Sequence, residues 1–268
     1  MENAFPCAAR LWVVGKRDAG SDAPARVRSF REQVKACSLF SFAYVAASRK
    51  CDKIGLILET NDCGENIMTE KEKMQRQMFY DANYDKELLA ERVRAKELCY
   101  DFNQLRPSDV EGQQKLLRRL LGKTGEHFCI TAPFWCDYGY NIELGENFYA
   151  NHGLVILDGG KVTFGHDVFV APNCGFHTAG HPIDFQRRNR GLEYAYPITV
   201  GNNVWIGAGV QVMPGVTIGD NVVIGGGSVV VKDIPSGSVA VGNPCRVVRA
   251  ITEEDEKTGW DWSGSFTE

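Results

Sequence analysis

The sequence contains no long apolar run. The best stretch, Leu39 to Ala47, is short and broken at Ser41, whereas a membrane-spanning helix needs roughly 18 to 20 apolar residues. No membrane partner is expected. No signal peptide is expected either, because the small-residue segment Ala46-Ala47-Ser48 lies too far from Met1 to follow the usual charged region and apolar stretch. Neither sign of charge dominates: 30 Lys and Arg stand against 34 Asp and Glu, a formal net charge of −4. That balance indicates neither a basic nucleic-acid surface nor an acidic tail, so no nucleic-acid partner is expected. The nine cysteines include no Cys-x-x-Cys pair; Cys7, Cys37, Cys51 and Cys63 precede Met68, while Cys99, Cys129, Cys136, Cys174 and Cys245 are scattered beyond it. An odd, unpatterned set without a secretory signal argues against a disulfide framework or a zinc site and for reduced thiols in the cytoplasm.

What is present is unevenly distributed. Of the 28 glycines only four precede Met68, whereas 19 lie from Gly139 to Gly242. Residues 1–67 carry 10 basic and 8 acidic side chains, a net +2 that leaves −6 for residues 68–268. They show no sustained helical or strand period, no capping signal and no site-like cluster. At Met68-Thr69-Glu70-Lys71-Glu72-Lys73-Met74 the text changes to what looks like the opening of a soluble protein that begins with a helix. Met68 is therefore expected to be the native start, with residues 1–67 an unexplained extension, disordered or not native; a regulatory or targeting extension is the alternative. From Thr69 to Leu121 the apolar spacing is helical, with Leu88, Leu89, Val93, Leu98 and Phe102 in one stripe and Leu116, Leu117, Leu120 and Leu121 in a second. After Pro107, Ser108-Asp109-Val110-Glu111 reads as a capping box that opens a helix. These helices form a cap over residues 68–125 that must pack on something larger.

That larger part is a six-residue repeat. Val200, Ile206, Val212, Ile218, Ile224 and Val230 recur at every sixth position, and Val204, Val210, Val216, Val222, Ser228 and Ile234 fill the place four residues after each. Glycine follows the first aliphatic at Gly201, Gly207, Gly219 and Gly225. The same frame appears at Leu144, Ala150 and Ile156, slips by two residues at Asp158 to Lys161, and resumes at Phe164, Val170 and Phe176. Neither a 3.6-residue helix nor a two-residue alternation has period six, whereas a short strand followed by a tight corner does. Each hexad is expected to form one side of a triangular coil, its aliphatic residue pointing inward and its glycine at the corner. The only long break in the repeat runs from Pro182 to Pro197.

The segment Phe134-Trp135-Cys136-Asp137-Tyr138-Gly139-Tyr140-Asn141-Ile142, then Asn147 to Asn151, Thr178-Ala179-Gly180-His181-Pro182 and Ile198 to Gly219 resemble the maltose and galactoside O-acetyltransferases of the hexapeptide-repeat superfamily. The likeness runs from about Thr69 to Ile251. It implies a mainly β protein, a left-handed parallel β-helix over residues 126–251 with loop 182–197, behind the helical cap and followed by a tail at 252–268. It also implies a homotrimer with active sites between subunits. The activity implied is direct transfer of the acetyl group of acetyl-CoA, a co-substrate, to a hydroxyl of a sugar such as maltose or glucose, with no permanently bound cofactor and no metal.

Such a transfer needs a base for a weakly acidic alcohol, and histidine, with an ordinary pKa of about 6.5, is suited to it. Five histidines are available: His127, His152, His166, His177 and His181. His181 opens the long loop and matches the family's catalytic base, with His177 the second choice. Asn151, near a corner, can donate and accept for a sugar hydroxyl or belong to a structural asparagine ladder; the resemblance favours the acceptor. By resemblance Asp137, Tyr149, Arg92 and Asp158 join it, and Asp81 or Asp85 matches an acidic acceptor contact, a choice left open. Where the galactoside branch has two consecutive acidic residues this chain has Asp158-Gly159, which favours the maltose/glucose branch. For acetyl-CoA, the resemblance implies Ala208 and Gly226 along the pantetheine arm, with Val231, Lys232, Arg246 and Arg249 nearby, the cations suited to phosphate. Trp205 matches a tryptophan near the donor, or packs within the repeat. Cys174 takes an inward place and is expected to be a buried, inert thiol. The competing readings are a zinc carbonic anhydrase-like β-helix and an acetyltransferase for a non-sugar acceptor such as serine or an antibiotic.

Overall fold

The computed structural model describes residues 68–256, which lie within the second of two units of the chain, Glu65–Glu268. The expected extension 1–67 and positions 257–268 of the expected tail fall outside the described residues. Helix α1 (Glu70–Gln75) opens with a capping box: Thr69 Oγ1 accepts from Glu72 N at 3.1 Å, and Thr69 N donates to Glu72 Oε2 at 2.8 Å. A two-residue strand, β1 (Tyr80–Asp81), leads to α2 (Lys86–Gln104), capped by Asp85, and α3 (Val110–Leu120) follows.

Two expectations about these helices are corrected. The box expected from Ser108 is displaced by one residue: Asp109 is the cap of α3, accepting from Gly112 N at 3.0 Å. An aspartate satisfies a first-turn amide as well as a serine does and also suits the helix dipole. A Cβ at position 112 would lie 2.5 Å from the Asp109 carboxylate, so glycine rather than glutamate occupies the third position. On α2 the buried stripe is Leu88, Ala95, Leu98, Cys99 and Phe102, whereas Leu89 and Val93 face solvent. The helix turns its Leu88–Ala95–Phe102 side to the coils, and positions 89 and 93 fall off that face.

From Phe128 onward the chain winds as a parallel β-solenoid of about six turns, with short strands stacked in three sheets. The first face carries β4 (Ile142–Glu143), β7 (Val162–Phe164), β12 (Ile198–Val200) and β15 (Thr217–Ile218). The second carries β2 (Phe128–Ile130), β5 (Phe148–Ala150), β8 (Val168–Val170), β13 (Val204–Ile206), β16 (Val222–Ile224) and β18 (Ser238–Val241), with β19 (Arg246–Ala250) added antiparallel at its end. The third carries β3 (Phe134–Cys136), β6 (Leu154–Leu157), β9 (Gly175–His177), β14 (Gln211–Val212) and β17 (Val229–Val230). All twelve positions of the two expected inward series from Val200 to Ile234 are buried. Phe148, Phe164 and Phe176 meet in the interior from the three faces, one pair tilted and the other edge-on, with ring centroids 4.8 and 4.9 Å apart.

The corners follow their own rule. Between the first and second faces, one side chain per coil accepts from the backbone amide of the coil before: Glu146 Oε2 from Glu126 N (2.7 Å), His166 Nδ1 from Glu146 N (3.0 Å), Asn202 Oδ1 from His166 N (2.8 Å), Asp220 Oδ1 from Asn202 N (2.6 Å) and Ser236 Oγ from Asp220 N (2.9 Å). In the first four of these corners the next residue, Asn147, Asp167, Asn203 or Asn221, has positive φ between 52° and 58°, a region that Asn and Asp tolerate best among residues with a Cβ, and in the fifth Gly237 has φ 69°.

The two-residue slip at Asp158–Lys161 belongs to a larger pattern. Strand pairing makes Ile142, Val162, Ile198 and Val216 equivalent, as it does Cys136, Ile156, Phe176 and Val212. The tight corner from Val212 to Val216 is therefore two residues shorter than those from Cys136 to Ile142 and from Ile156 to Val162. The long break, from Phe176 to Ile198, is a third enlargement of the same corner one coil further on. It is ordered by β10 (Ala179–Gly180), α4 (Phe185–Asn189) and β11 (Leu192–Ala195), with β11 paired antiparallel to both β10 and β1.

The outward residues differ between faces. On the first they are Glu143, Thr163, Thr199 and Thr217; on the second Tyr149, Phe169, Trp205, Val223 and Val239 stand in register as an apolar ladder, with Phe169 and Trp205 more than half exposed. Among the described residues no helix is long and apolar enough to cross a membrane.

The cluster of three phenylalanines is expected to be the most sensitive part of the core. Phe164→Ala should destabilise the fold by about 3–5 kcal/mol, read as a lower midpoint of denaturant unfolding; a loss under about 1 kcal/mol would contradict this view of the axis.

Candidate active site

The small sheet β1–β11–β10 positions His181. Strand β10 ends at Gly180, so the histidine leaves the sheet edge facing β11. Its Nδ1 lies 3.0 Å from the carbonyl oxygen of Leu192. A carbonyl can only accept, so Nδ1 carries the proton, and in the neutral ring Nε2 keeps its lone pair. The Oε1 atom of Glu193 is 3.9 Å from that Nε2. Its Oε2 atom accepts from Tyr80 Oη at 3.3 Å. Burial pushes the Glu193 carboxyl up from the ordinary carboxylate range, against the opposing pull of His181, Arg92 and the Tyr80 hydroxyl.

The enlarged corner lies beneath this sheet. Asp158 is fully buried, and its Oδ1 accepts from the backbone amides of Asp137 (3.0 Å) and Tyr138 (2.8 Å). Its Oδ2 is buried with no hydrogen-bond partner among the described residues. Burial, with the nearby Asp137 carboxylate adding to it, pushes the Asp158 carboxyl up to about 6, although the amide bonds pull the other way. Asp137, partly buried, is also raised by burial, with Lys96 and Arg92 acting against it. Arg92 donates from α2 to the carbonyl of Ala82. Tyr138 packs with Met74, Tyr80, Ala82, Leu88 and Ala195 in a small core that joins the cap to the loop.

The described chain thus brings Arg92, Asp137, Asp158 and His181 to one corner. Asn151 and Tyr149 are elsewhere: they precede β6, on the opposite edge of the third face from the corner that follows it. Asn151 Oδ1 accepts from His152 N at 2.7 Å, and the Tyr149 ring lies 6.4 Å from that of Phe169. Asp85 is occupied as the cap of α2, while Asp81 Oδ1 accepts from the amides of Asn83 (3.1 Å) and Tyr84 (2.9 Å). Both carboxylates hold backbone, and the geometry favours neither as the acidic acceptor contact.

The residues expected for the donor are distributed in the same way. Ala208 and Gly226 occupy successive coils at the corner before the third face, where Gly227 N donates to Ala208 O at 2.7 Å. Val231 and Lys232, both exposed, follow that face. Arg246 and Arg249 lie on β19, and Arg249 grips Asp255 with two bonds of 2.7 and 2.8 Å. Trp205 points outward on the second face rather than into the repeat.

The second-choice histidine is tied to the scaffold, with His177 Nε2 lying 2.8 Å from Gln211 Oε1. Among the described residues no three His, Cys, Asp or Glu side chains converge as metal ligands. Cys174 is buried, its Sγ 3.2 Å from the Gly207 carbonyl, and burial pushes its thiol up. Glu193 and Tyr80 were missed at the level of sequence. A clue to the first was available, since Leu192-Glu193-Tyr194-Ala195 between Gly191 and Pro197 is a strand-like run inside a presumed loop.

Residues 73–125 match the family model described as the maltose acetyltransferase hexapeptide capping motif, and residues 197–232 match the bacterial transferase hexapeptide repeats. A protein of Saccharomyces cerevisiae is 57% identical over 180 residues, 67% of this chain and 92% of its own length. A crystal structure of a maltose O-acetyltransferase from Clostridium difficile 630 is 52% identical, with a TM-score of 0.68, over 69% of this chain and 99% of that one. This chain belongs to the maltose/galactoside O-acetyltransferase family. A galactoside acetyltransferase in complex with coenzyme A is 44% identical, with a TM-score of 0.68, over 70% of this chain and 94% of that one. A hexapeptide-repeat acetyltransferase of Vibrio cholerae complexed with acetyl coenzyme A is 34% identical, with a TM-score of 0.65, over 69% and 100%. The protein is an acetyl-CoA-dependent acetyltransferase of this family, with acetyl-CoA as its substrate.

The raised carboxyl of Asp158 has a signed consequence for this family member. A carboxyl pushed up to about 6 in the folded state binds its proton more tightly there than in the unfolded chain. Its contribution to stability is thus fully present below the unfolded value near 4 and is lost as pH rises through about 6. Raising pH from 4.5 to 7.5 should therefore lower the stability of the wild type relative to Asp158→Asn, on the order of 1–3 kcal/mol. Parallel melting curves at the two pH values would show it; a difference independent of pH would refute it.

Proposed function

We propose that this acetyltransferase moves the acetyl group of acetyl-CoA directly onto a hydroxyl of a sugar such as maltose or glucose, with His181 as general base. The observation that carries the reading is the bond from His181 Nδ1 to the Leu192 carbonyl, which leaves Nε2 as the proton acceptor beside a polar corner. Nε2 takes the proton of the acceptor hydroxyl as its oxygen attacks the thioester carbonyl carbon. The tetrahedral intermediate collapses with cleavage of the C–S bond, and the sulfur of CoA leaves with the proton returned from Nε2. The nearby Glu193 carboxylate favours the transient imidazolium. No acyl-enzyme is formed.

Arg92 and Asp137 offer charged hydrogen-bonding groups to the sugar hydroxyls. Asp158 acts behind them by holding the Asp137 amide. Asn151 and Tyr149 complete the acceptor site from a neighbouring subunit, because within one chain the third face separates them from His181. The partner is two further copies of the chain, in a homotrimer with sites between subunits. The exposed apolar ladder Tyr149–Phe169–Trp205 supports such packing, since contiguous apolar surface of this kind marks interfaces. Acetyl-CoA lies along the same seam, with its pantetheine arm against Ala208 and Gly226, Trp205 beside the arm, and Val231, Lys232, Arg246 and Arg249 towards its phosphates. Residues 68–125 serve as the cap, 126–251 as the β-helix with its loop 182–197, and 252–268 as a tail, behind the extension 1–67, in a protein of the cytoplasm. Detoxification of excess non-metabolised sugar is the role this reading gives the enzyme.

His181→Ala should lower kcat by roughly 10²- to 10⁴-fold while leaving acetyl-CoA affinity, measured by calorimetry, within about threefold. Near-normal turnover would remove His181 from the role of base. CoA release assayed across sugars, serine and amine-bearing antibiotics separates a sugar acceptor from the alternatives; activity confined to the amines would overturn the sugar assignment.

A further inference from the structure

Tyr80 is a buried phenol whose hydroxyl faces the loop carrying the catalytic histidine rather than water. We propose that Tyr80 is a positioning residue for acetyl transfer: through its hydrogen bond to Glu193 it fixes the carboxylate that faces Nε2 of His181. This inference rests on the reading of His181 as the base.

Three observations converge on it. Tyr80 and Glu193 are direct partners in the β1–β11 pairing, as Asp81 and Leu192 are. The cap strand thus aligns both groups that face the His181 ring nitrogens, the Leu192 carbonyl and the Glu193 carboxylate. The two carboxylate oxygens are also divided, with Oε2 accepting from Tyr80 and Oε1 lying 3.9 Å from Nε2. The phenol bond at one oxygen restricts how far the carboxylate can turn the other away from the imidazole. Finally, the hydroxyl is confined from below: a Cβ at Gly159 would stand 3.0 Å from Tyr80 Oη and 3.3 Å from Ala195 Cβ. Position 159 carries no side chain, and the Tyr80 hydroxyl stands against it.

The electrostatics agree with the geometry. Burial pushes the phenol up, so it stays a protonated donor throughout the working pH range. The charged and titratable groups around Glu193 are His181 on the loop, Tyr80 on β1, Arg92 on α2 and Asp137 after β3. Donation from Tyr80 favours the ionised carboxylate against the burial that opposes it.

The test is a double-mutant cycle in the full chain, combined with a titration. Tyr80→Phe, which keeps the ring, should lower kcat roughly three- to tenfold and leave KM for acetyl-CoA within twofold. Glu193→Gln should cost more, and the double variant should match Glu193→Gln within twofold, because Tyr80 acts only through that carboxylate. In histidine ring NMR, the His181 midpoint should fall in Glu193→Gln and fall by less in Tyr80→Phe. Incorporating 3,5-difluorotyrosine at position 80, a stronger donor of similar shape, should move the midpoint the other way, and it serves as the deciding variant should Tyr80→Phe not fold. Additive losses in the cycle, or a His181 titration indifferent to both changes at position 80, would overturn the proposal. The NMR arm needs no acceptor, so a wild type that acetylates no hydroxyl would count against the functional reading and not against the Tyr80 linkage.

Discussion

Everything in the described chain depends on the parallel pairing of strands only two to four residues long, each coil hydrogen-bonded to the coils on either side. One such strand contributes too few bonds to persist alone, but a stack of them shares one register and one apolar axis. Register is secured twice in every turn. Inward aliphatics meet their counterparts along the axis, and at one corner the ladder from Glu146 through His166, Asn202 and Asp220 to Ser236 lends a side-chain acceptor to the preceding backbone. With three faces fixed in this way, the remaining corners are free to carry chemistry.

The candidate site draws on that freedom but takes its alignment from outside the solenoid. His181, Leu192 and Glu193 belong to the longest corner enlargement, and the strand that orders this loop, β1, comes from the cap. The cap strand therefore orders the loop that holds the His181 imidazole, and the small core around Tyr80, Leu88 and Tyr138 ties helix, coil and loop together. Asp158 does similar work one coil below: a single buried oxygen holds two consecutive amides and shapes the peptide that presents Asp137.

The legible part of the sequence was the part with a period. The hexads from Val200 to Ile234 identified inward positions residue by residue, and the slip at Asp158–Lys161 marked an irregular corner. That Tyr138–Asn141 and the long loop enlarge the same corner was not legible, because strand pairing, not spacing, makes them equivalent. The helical stripes misled at Leu89 and Val93, since a helix with apolar residues on more than one side does not announce which side meets the core. His181 and Asp137 were reachable through motifs, whereas Tyr80 and Glu193, 113 positions apart in the chain, become neighbours only when a two-residue strand finds its partner across the loop.

The stacking of three enlargements on one edge has a consequence for how such an enzyme can change. Pairing on the three faces is indifferent to what the chain does between Phe176 and Ile198, because Val162 still meets Ile198 as Ile198 meets Val216. Insertions, deletions and substitutions on this edge can be sampled without renegotiating the scaffold, one coil at a time, while the edges that hold the ladder and the glycine corners stay fixed. A lineage built in this way can acquire a new substrate by local editing of a single seam, leaving the architecture that aligns the reaction untouched.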